Sequence, residues 1–419
     1  MNKFKTNNTK TNNKMKNKMK NKTNNKMKKT ISSMLAIATL TLASCSGSDD
    51  SPVVNPKEVA IDAANFKGTL ESGKEATLDA SKVYYLTGSF IVKDGAKLTI
   101  PAGTVIKATE NTDSVVRYIA VSQGAQIFIN GTATNPVIMT SAKATPAKSD
   151  WGGLVICGKA PINTSATAGG TASAEVSDLT YGGSNSADNS GIIKYLRIEY
   201  TGYAYNATKE FNGLSLFGVG SGTTLEYVQA NHNGDDGIEF FGGAVNGKYL
   251  VSTDSDDDSI DFADGWAGTG EYWYIKNTAK AGIEGSNNGQ NGLATPLTNA
   301  TLKNISIVKG TLVNSEHAIY LKEGAGKWAA SNIYVSGDFA KGIKIISTGI
   351  SPDVPAIASV TDGTITFNPI QFANNTLTST FVESEYTGSN TTYLTKGTNS
   401  GAGNGADAPI WAANWTAGL

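Results

Sequence analysis

A dense run of acidic residues between positions 235 and 264 is the part of the chain best suited to chemistry. This segment of thirty residues contains nine carboxyl groups and a single lysine, Lys248. Carboxylate oxygens on turns suit Ca²⁺, and like charges about 5 Å apart repel by roughly 1 kcal/mol even in water. The segment therefore predicts a site for Ca²⁺ or a similar hard cation, with a solvated acidic face as the alternative. The candidate ligands are Asp235, Asp236, Glu239, Asp257, Asp258 and Asp261, with Asp254 and Asp256 as neighbours.

The spacing of Asp254, Asp256 and Asp258 is similar to the start of an EF-hand loop, but two later positions do not fit. Ser259 stands where that loop needs glycine, and Gly265 stands where it needs a glutamate. The glycine makes the sharp turn of the loop, and the glutamate binds Ca²⁺ through both oxygens. We therefore exclude an EF-hand.

Four tyrosines form the second candidate site: Tyr195, Tyr227, Tyr249 and Tyr272. Each lies in a short run rich in β-branched and aromatic residues, and the last three are 22 and 23 residues apart. If these runs stack, the rings form one outward column. Such a column can carry a sugar ring or a partner surface, and it can equally serve only to stabilise the sheet.

A catalytic cysteine is not supported. Cys157 lies in the apolar run 153–157, and the chain has only two histidines, His232 and His317, to activate a thiol. We expect Cys157 to be a small buried side chain.

An internal repeat with a period near 23 residues positions these groups. A second set of short runs recurs in step with the tyrosine runs, at 213–217, 237–241, 259–262, 282–285, 318–321 and 342–345. Two or three short strands per repeat of this length are typical of a parallel β-helix, whose coils stack and bury a continuous core. The sequence therefore predicts an all-β solenoid.

Stacking the coils in this register gives a column that alternates in charge. Its members are Lys194, Glu226, Lys248 and Glu271. Opposite charges on adjacent strands stabilise a sheet, so the alternation favours contact between these coils.

The same register arranges the acidic residues. The inward column is Ile238, Ile260 and Ile283, and the next residue of each run then points outward, which gives the column Glu239, Asp261 and Glu284. The pairs Asp235–Asp236 and Asp257–Asp258 stack at the preceding turn. We expect the cation to lie there, where backbone carbonyls can complete a shell of six to eight oxygens.

Several segments resemble a known family. These are 88–106, 119–129 and 150–156, together with the acidic runs 234–243 and 256–266. They are similar to the right-handed parallel β-helix lipoproteins of Bacteroidetes and other Gram-negative bacteria, over roughly residues 65–345. The resemblance implies a right-handed parallel β-helix and a lipid-anchored location. It implies no reaction, because that family has no settled activity.

Enzymes with this fold supply the alternative function. The run Asn233-Gly-Asp-Asp236 is similar to the paired aspartates of polygalacturonase-like hydrolases, but the Gly-His-Gly and Arg-Ile-Lys motifs of those enzymes are missing. Pectate lyases use Arg or Lys as a base beside Ca²⁺, and Arg197 is a candidate. The leading hypothesis is a non-catalytic binding or accessory protein. A Ca²⁺-dependent polysaccharide lyase or a glycoside hydrolase remains the alternative.

The N-terminal region predicts export and lipidation. A basic start at Met27-Lys28-Lys29 and a short apolar run to Leu42 lead into Leu42-Ala-Ser-Cys45, which resembles the lipobox of bacterial lipoproteins. The resemblance implies cleavage before Cys45 and acylation of that residue, and two or more acyl chains give stable anchoring. Asp49-Asp50 resembles the surface-export signal of Bacteroidetes lipoproteins. We therefore expect an outer-membrane lipid anchor, a protein that faces outward and no intramolecular disulfide.

The net charge of the chain limits the classes of partner that it can bind. The whole chain has a net charge of −1, but residues 1–44 hold eleven lysines and no acidic residue, so their removal leaves 24 basic against 36 acidic residues, a net of −12. This excess argues against nucleic acid as a partner. A TonB-dependent transporter or a surface glycan is suggested by location and resemblance alone.

The expected organisation has four parts. Residues 1–44 are a leader and signal peptide, with Met27 as the expected initiator. Residues 45–64 form a tether and entry segment, 65–348 form the β-helix, and 349–419 form a C-terminal cap.

Overall fold

The structure, a computed structural model, describes residues 57–419 except 114, 207–208, 313–314, 347–354 and 374–380. The chain divides into one unit of residues 1–53 and a second of residues 54–419, to which all the described elements belong. The predicted leader, Met27 and the lipidation residue Cys45 lie outside the described residues. No helix in the described ranges is long and apolar enough to cross a membrane.

The described chain is almost entirely β-strand. Its N-terminal strands are β1 (Phe66–Leu70), β2 (Glu75–Thr77), β3 (Val83–Val92), β4 (Lys97–Pro101), β5 (Val105–Ala108), β6 (Ile119–Val121), β7 (Gln126–Asn130), β8 (Val137–Ser141), β9 (Leu154–Cys157), β10 (Ala172–Ser173) and β11 (Thr180–Tyr181). The central strands are β12 (Gly191–Glu199), β13 (Leu214–Phe217), β14 (Thr224–Asn233), β15 (Ile238–Phe241), β16 (Gly247–Ser255), β17 (Ile260–Ala263), β18 (Thr269–Thr278) and β19 (Ala281–Gly285). The last strands are β20 (Asn299–Val308), β21 (His317–Leu321), β22 (Lys327–Ser336), β23 (Lys341–Ile345), β24 (Ile365–Ala373), β25 (Val382–Ser384) and β26 (Leu394–Lys396). A helical turn, α1 (Ile357–Thr361), and a 3₁₀-helix at Ile410–Ala412 complete the elements.

The strands pair in parallel with their equivalents one coil away, as a β-helix requires. One stack runs β12, β14, β16, β18, β20, β22, β24 and β26. The other runs β9, β13, β15, β17, β19, β21, β23 and β25. In the described chain, antiparallel pairing is confined to β10 with β11 and one isolated bridge. The predicted parallel β-helix and its register are confirmed.

The core is a continuous column of side chains inside the coils. The predicted inward residues Ile238, Ile260 and Ile283 are fully buried and in register. Phe240 and Trp266 pack beside them with ring centroids 4.7 Å apart. A single coil cannot bury these groups alone, so each one depends on its neighbours.

A left-handed residue marks the corner within the long strand of each central coil. Tyr195, Tyr227, Tyr249 and Tyr272 have φ between 51° and 58°. The strand register skips these residues, because Lys194 pairs with Glu226 and Leu196 pairs with Val228. Left-handed backbone is unfavourable for a tyrosine, so the surrounding packing must hold this bend.

The region predicted as a cap contains more coil than expected. Strands β24, β25 and β26 continue both stacks beyond residue 348. The last residues, 399–419, instead return along the side of the coils, and we call this segment the C-terminal strap. It bonds to Asn332, Ser306 and Gln229 in turn, so it runs back toward earlier coils.

Candidate functional site

The predicted acidic column is present and is buried. Glu239, Asp261 and Glu284 lie in register on β15, β17 and β19. Their exposed fractions are 8%, 7% and 0%. A solvated acidic face is therefore wrong for this column, because hydration cannot screen carboxyl groups at that depth.

The turn before these strands uses its aspartates in two ways. Asp236 Oδ1 accepts a hydrogen bond from the Asp258 amide at 2.8 Å, and Asp258 Oδ1 accepts one from the Ala281 amide at 2.7 Å. These two carboxyls therefore link one coil to the next. Asp235 and Asp257 at the same turn are only half-buried.

The carboxyl groups fall into three clusters, in each of which one oxygen from every carboxyl lies within 4.8 Å of the others. The turn cluster is Asp235, Asp236 and Asp257; the middle cluster is Asp236, Glu239 and Asp261; the upper cluster is Asp258, Asp261 and Glu284. Each cluster could hold a metal ion.

Two lysines that the sequence reasoning missed lie across this column. Lys280 Nζ is 3.0 Å from Asp257, 3.1 Å from Asp258 and 3.2 Å from Glu284. Lys322 pairs with Glu284 one coil further on. Both lysines lie outside the acidic segment in sequence, and stacking alone brings them to it. Seven carboxyls with only two lysines in ion-pair contact leave a formal excess of five negative charges when all are ionised.

Burial and mutual repulsion shift these groups toward their neutral forms. Burial raises the pKa of Asp236, Glu239 and Asp258 well above the usual range, and neighbouring carboxylates add to the shift. The same causes raise the pKa of Asp261 to about 8. Burial also disfavours ionised Glu284, yet Lys322 and Lys280 outweigh it and hold the pKa of that group below its usual value.

Asp254 and Asp256 are not part of the clusters. Lys148, from a distant loop, lies 3.1 Å from Asp254 and 2.7 Å from Asp256. His232 contacts the other oxygen of Asp254. We therefore correct the prediction that Asp254 and Asp256 are neighbouring ligands of the same ion. Their carboxylates already contact Lys148, and Asp254 also contacts the ring of His232.

A cavity of about 940 Å³ lies over the acidic column. Glu239, Asp261 and Asp264 line it, as do Phe217 and Phe241 from the same sheet. Further lining comes from residues 158–190 between β9 and β12, which we call the insertion or inserted segment, and from the loop 286–298 between β19 and β20. The insertion contributes Asn163, Ser165, Glu175 and Tyr181, and the loop contributes Ser286, Asn288, Gln290, Asn291 and Thr295. Lys209, Lys322 and Glu323 complete the lining from other turns. The site is therefore a partly open cavity with a mixed polar and apolar lining rather than a flat exposed face.

The inserted segment is held against the sheet by a small second core. Phe217 and Phe241 stack with centroids 4.0 Å apart, and Tyr181 packs edge-on against Phe217. Ile162 and Val176 are buried with them. Because this core lies outside the coils, it fixes the wall of the cavity to the outer face of β13 and β15.

Amide bonds tie the loop to the insertion. Asn288 Nδ2 donates to Asn163 Oδ1 at 3.0 Å, and Asn163 Nδ2 donates to the Asn287 carbonyl at 3.0 Å. The Tyr181 hydroxyl donates a hydrogen bond to Asp264 Oδ2 at 3.2 Å, and burial raises the pKa of Asp264 to about 7. The Asn-rich run at 287–291 was the only sequence signal for this loop.

The four predicted tyrosines stack as a ladder, with successive centroids 4.3, 4.5 and 5.1 Å apart. The strap covers them: Trp415 lies perpendicular to Tyr195 and Tyr227, and a second indole, Trp411, packs on Tyr249. These contacts agree with the stabilising alternative. Binding of a sugar ring by the ladder would require the strap to move.

The remaining candidate groups are structural. Cys157 is fully buried, and burial raises the pKa of its thiol to about 12. Arg197 pairs with Glu199 at 2.7 Å and shares its column with Gln229, away from the acidic cluster. Neither is placed to react with a group in the cavity.

Comparison with known proteins gives a family and a fold. The sequence profile of the pectate-lyase like beta helix domain matches residues 68–416. No curated protein matches the chain. The catalytic domain of a GH87 α-1,3-glucanase in complex with tetrasaccharides is similar at a TM-score of 0.40 and 11% identity, covering 82% of this chain and 64% of that one. The Dettilon tailspike protein is similar at a TM-score of 0.32 and 12% identity, covering 75% and 62%. The chain spans less than two thirds of the length of either structure.

Proposed function

This chain belongs to the pectate-lyase-like β-helix domain family, and we propose that it is a non-catalytic binding protein that holds a segment of glycan in its cavity. The observation that carries the proposal is the partly open cavity of about 940 Å³ on the outer face of the acidic coils. A closed stack of coils has no structural need for such a space, whereas a ligand site does.

The lining suits a saccharide. Sugar rings present many hydroxyl groups and one or two apolar faces, and the cavity offers amides and hydroxyls beside the Phe217–Phe241 stack. Its charged lining consists of five carboxyls and two lysines. This excess repels an anionic polymer, so a neutral glycan is the preferred ligand class.

Two features argue against catalysis. Lys280 and Lys322 are held charged by their carboxylate partners, which raise the pKa of both, so neither can serve as the base of a lyase. Glu239 and Asp261 form a close carboxyl pair, which is the one observation that favours a glycoside hydrolase. Hydrolysis needs one member ionised, and burial together with mutual repulsion raises the pKa of both, which disfavours that ionised form.

We also propose the location and cofactor. Cys45 is acylated and anchors the protein to the outer membrane facing outward, where a surface glycan or a TonB-dependent transporter is available as a partner. Ca²⁺ is the cation that the acidic clusters suit best, because their ligands are hard carboxylate oxygens.

Glycan binding is tested with purified protein against immobilised neutral and acidic polysaccharides. We expect retention by a neutral glycan and no release of reducing or unsaturated sugars. Ala294→Trp, at the cavity wall, should weaken binding at least tenfold. Ala329→Trp, on the exposed face of β22, should leave it unchanged. Equal retention of both variants, or sugar release by the wild type, contradicts the proposal.

Location is tested in cells. Labelled palmitate should enter the wild type and not Cys45→Ala, and protease added to intact cells should degrade the protein. Complete protection would place it on the periplasmic side.

A further inference from the structure

We infer that Leu293 contacts the bound glycan at the mouth of the cavity, and that the loop 286–298 is built in advance to hold it there. The inference rests on the proposed glycan-binding function and deepens it, because it names the residue that packs on the outermost sugar ring. The partner of this side chain is the apolar face of a neutral sugar.

Leu293 combines exposure to solvent with a place in the cavity wall. It is 68% exposed, and it lines the cavity. Six large apolar residues of the described chain are more than one third exposed, and Leu293 is the only one of them that lines the cavity. It therefore lies at the mouth. Single exposed apolar side chains are common on proteins, so the way in which the loop supports this one is decisive.

A buried asparagine fixes the backbone on both sides of Leu293. Asn287 is fully buried, and its Nδ2 donates to the carbonyl of Gly292 at 3.0 Å and to that of Ala294 at 2.9 Å. Its Oδ1 accepts a hydrogen bond from the amide of Thr298 at 2.8 Å. One side chain therefore ties the tip of the loop to its returning segment.

Two further asparagine side chains shape the tip. Asn288 Oδ1 accepts hydrogen bonds from the amides of Gln290 and Asn291, both at 2.9 Å. Asn291 Oδ1 then accepts one from the amide of Leu293 at 3.1 Å. Bonds from an asparagine side chain to the amide two residues on are Asx turns, which stabilise tight bends. The tip therefore has a defined backbone before any ligand binds.

The loop is also attached to the structure on either side of it. Asn163 of the insertion donates from Nδ2 to the Pro296 carbonyl at 3.0 Å. The Asn287 amide donates to the Glu323 carbonyl of the next coil at 3.1 Å. A loop held in this way loses little conformational freedom when a ligand binds, which strengthens binding. A leucine that such a loop keeps in water contributes little to the stability of the fold, because its apolar surface stays hydrated.

A sugar ring fits this arrangement, since it has an apolar face of C–H groups and a rim of hydroxyls. Leu293 offers the apolar contact, and Gln290 and Asn291 of the same loop line the cavity with amides that can bond to hydroxyls. The Phe217–Phe241 stack provides a second apolar surface on the sheet. A glycan that lies on the sheet therefore meets Leu293 where it leaves the cavity.

The first experiment changes the apolar contact alone. Titration calorimetry uses oligosaccharides prepared from the neutral polysaccharide, among glucan, mannan and galactan, that retains the wild type. Leu293→Ser should weaken binding about tenfold, whereas Leu293→Met keeps an apolar side chain and should stay within about twofold of the wild type. Ile410→Ser changes a residue that is 90% exposed and lies outside the cavity wall, so it should bind like the wild type. All three variants should melt like the wild type, because these side chains are largely exposed.

The results separate the two proposals. Wild-type affinity in Leu293→Ser, or an equal loss in Ile410→Ser, overturns the role of Leu293 while the proposed function stands. Retention of no neutral polysaccharide by the wild type overturns the proposed function, and the role of Leu293 with it.

The second experiment tests whether the loop is formed in advance. Hydrogen exchange of the free wild-type protein should show protected amides at Gln290, Asn291 and Leu293, with little added protection when the oligosaccharide binds. Protection that arises only with the oligosaccharide overturns preorganisation. Asn287→Ala should release these amides and weaken binding. Adding Leu293→Ser to it should then weaken binding by less than tenfold, because changes that act through one loop are not additive. Full additivity of the two changes contradicts positioning of Leu293 by Asn287.

Discussion

Two outer columns of the same coils are covered by other parts of the chain, and the coverings differ. Over the tyrosine ladder the strap packs indole rings and forms hydrogen bonds, such as the pair between Gln229 and Ala417 at 2.7 and 2.8 Å. Over the acidic column the insertion packs against Phe217 and Phe241 but leaves about 940 Å³ open above Glu239 and Asp261.

The difference separates a structural surface from a candidate site. The tyrosine ladder is covered by the C-terminal strap, so its aromatic residues stabilise the stack of coils. The acidic column keeps buried carboxyl groups beside an open cavity, an arrangement that a fold does not need for stability. Aromatic character alone was the weaker guide to the candidate site in this chain.

The largest effect is expected from Lys280→Met on the acidic side. The variant leaves Asp257, Asp258 and Glu284 with less cationic compensation, and breaking a buried ion pair costs about 3–5 kcal/mol. Chemical denaturation of the metal-free protein measures it. Lys303→Met, at an exposed position, should change little. Adding Asp258→Asn to Lys280→Met should restore part of the stability, and equal stability of all variants would mean that the column carries little charge.

The next effect is expected on the aromatic side. Trp415 is fully buried against Tyr195 and Tyr227, so Trp415→Ala should cost about 3 kcal/mol and free the strap. Limited proteolysis should then cut the C-terminal residues first. Ile410→Ala, at a side chain that is 90% exposed, is the matched control. If both variants resist protease equally, the strap is not held by Trp415.

A smaller effect should appear as a dependence of stability on pH. Burial raises the pKa of Asp264 to about 7, above its value in the unfolded chain. A carboxyl with a raised folded pKa stabilises the fold below the unfolded pKa and loses that contribution as pH rises through the folded pKa. We therefore expect Asp264→Asn to match the wild type at pH 4 and to be more stable at pH 8, by up to about 4 kcal/mol.

Tyr181→Phe tests the same carboxyl in the opposite direction. It removes the hydroxyl that donates to Asp264, which should raise the pKa further and steepen the loss of stability with pH. Melting curves from pH 4 to 8 in the presence of chelator measure both variants. Identical slopes in the two variants would assign the pH dependence to other groups.

The smallest effect is expected on the alternating-charge column. Lys248 and Glu271 form a 3.0 Å pair in which both side chains remain about one third exposed. Such pairs contribute about 0–1 kcal/mol, so Lys248→Ala should change the free energy of unfolding by less than 1 kcal/mol. A larger loss would show that this column resembles the acidic one in importance.

The coils could be predicted because their signals repeat. The spacing of Tyr227, Tyr249 and Tyr272 set the register, and the same register aligned Glu239 with Asp261. The period of the repeat and the alternation of inward and outward residues recur in every coil. Errors in one coil are therefore corrected by the next.

The segments that cover the two columns, the strap and the insertion, could not be predicted because their sequences do not repeat. Nothing in the sequence near these lysines ties Lys280 to Asp258 or Lys322 to Glu284, since only side-chain reach across coils brings each of these two pairs together. The strap has no periodic pattern, so residues 399–419 gave no sign that Trp415 returns to Tyr195. The burial of the acidic column, and hence its charge state, depended on these unseen parts.

The strap also changes how the solenoid should come apart. Stacked repeats normally unfold from their ends one at a time, because each touches only its neighbours. Here one segment bonds to Gln229 on β14, to Ser306 on β20 and to Asn332 on β22. Opening any coil between them would stretch or release that segment. Amide protons of the spanned strands should therefore exchange with solvent as one cooperative block, whereas strands β1 to β5 should fray independently.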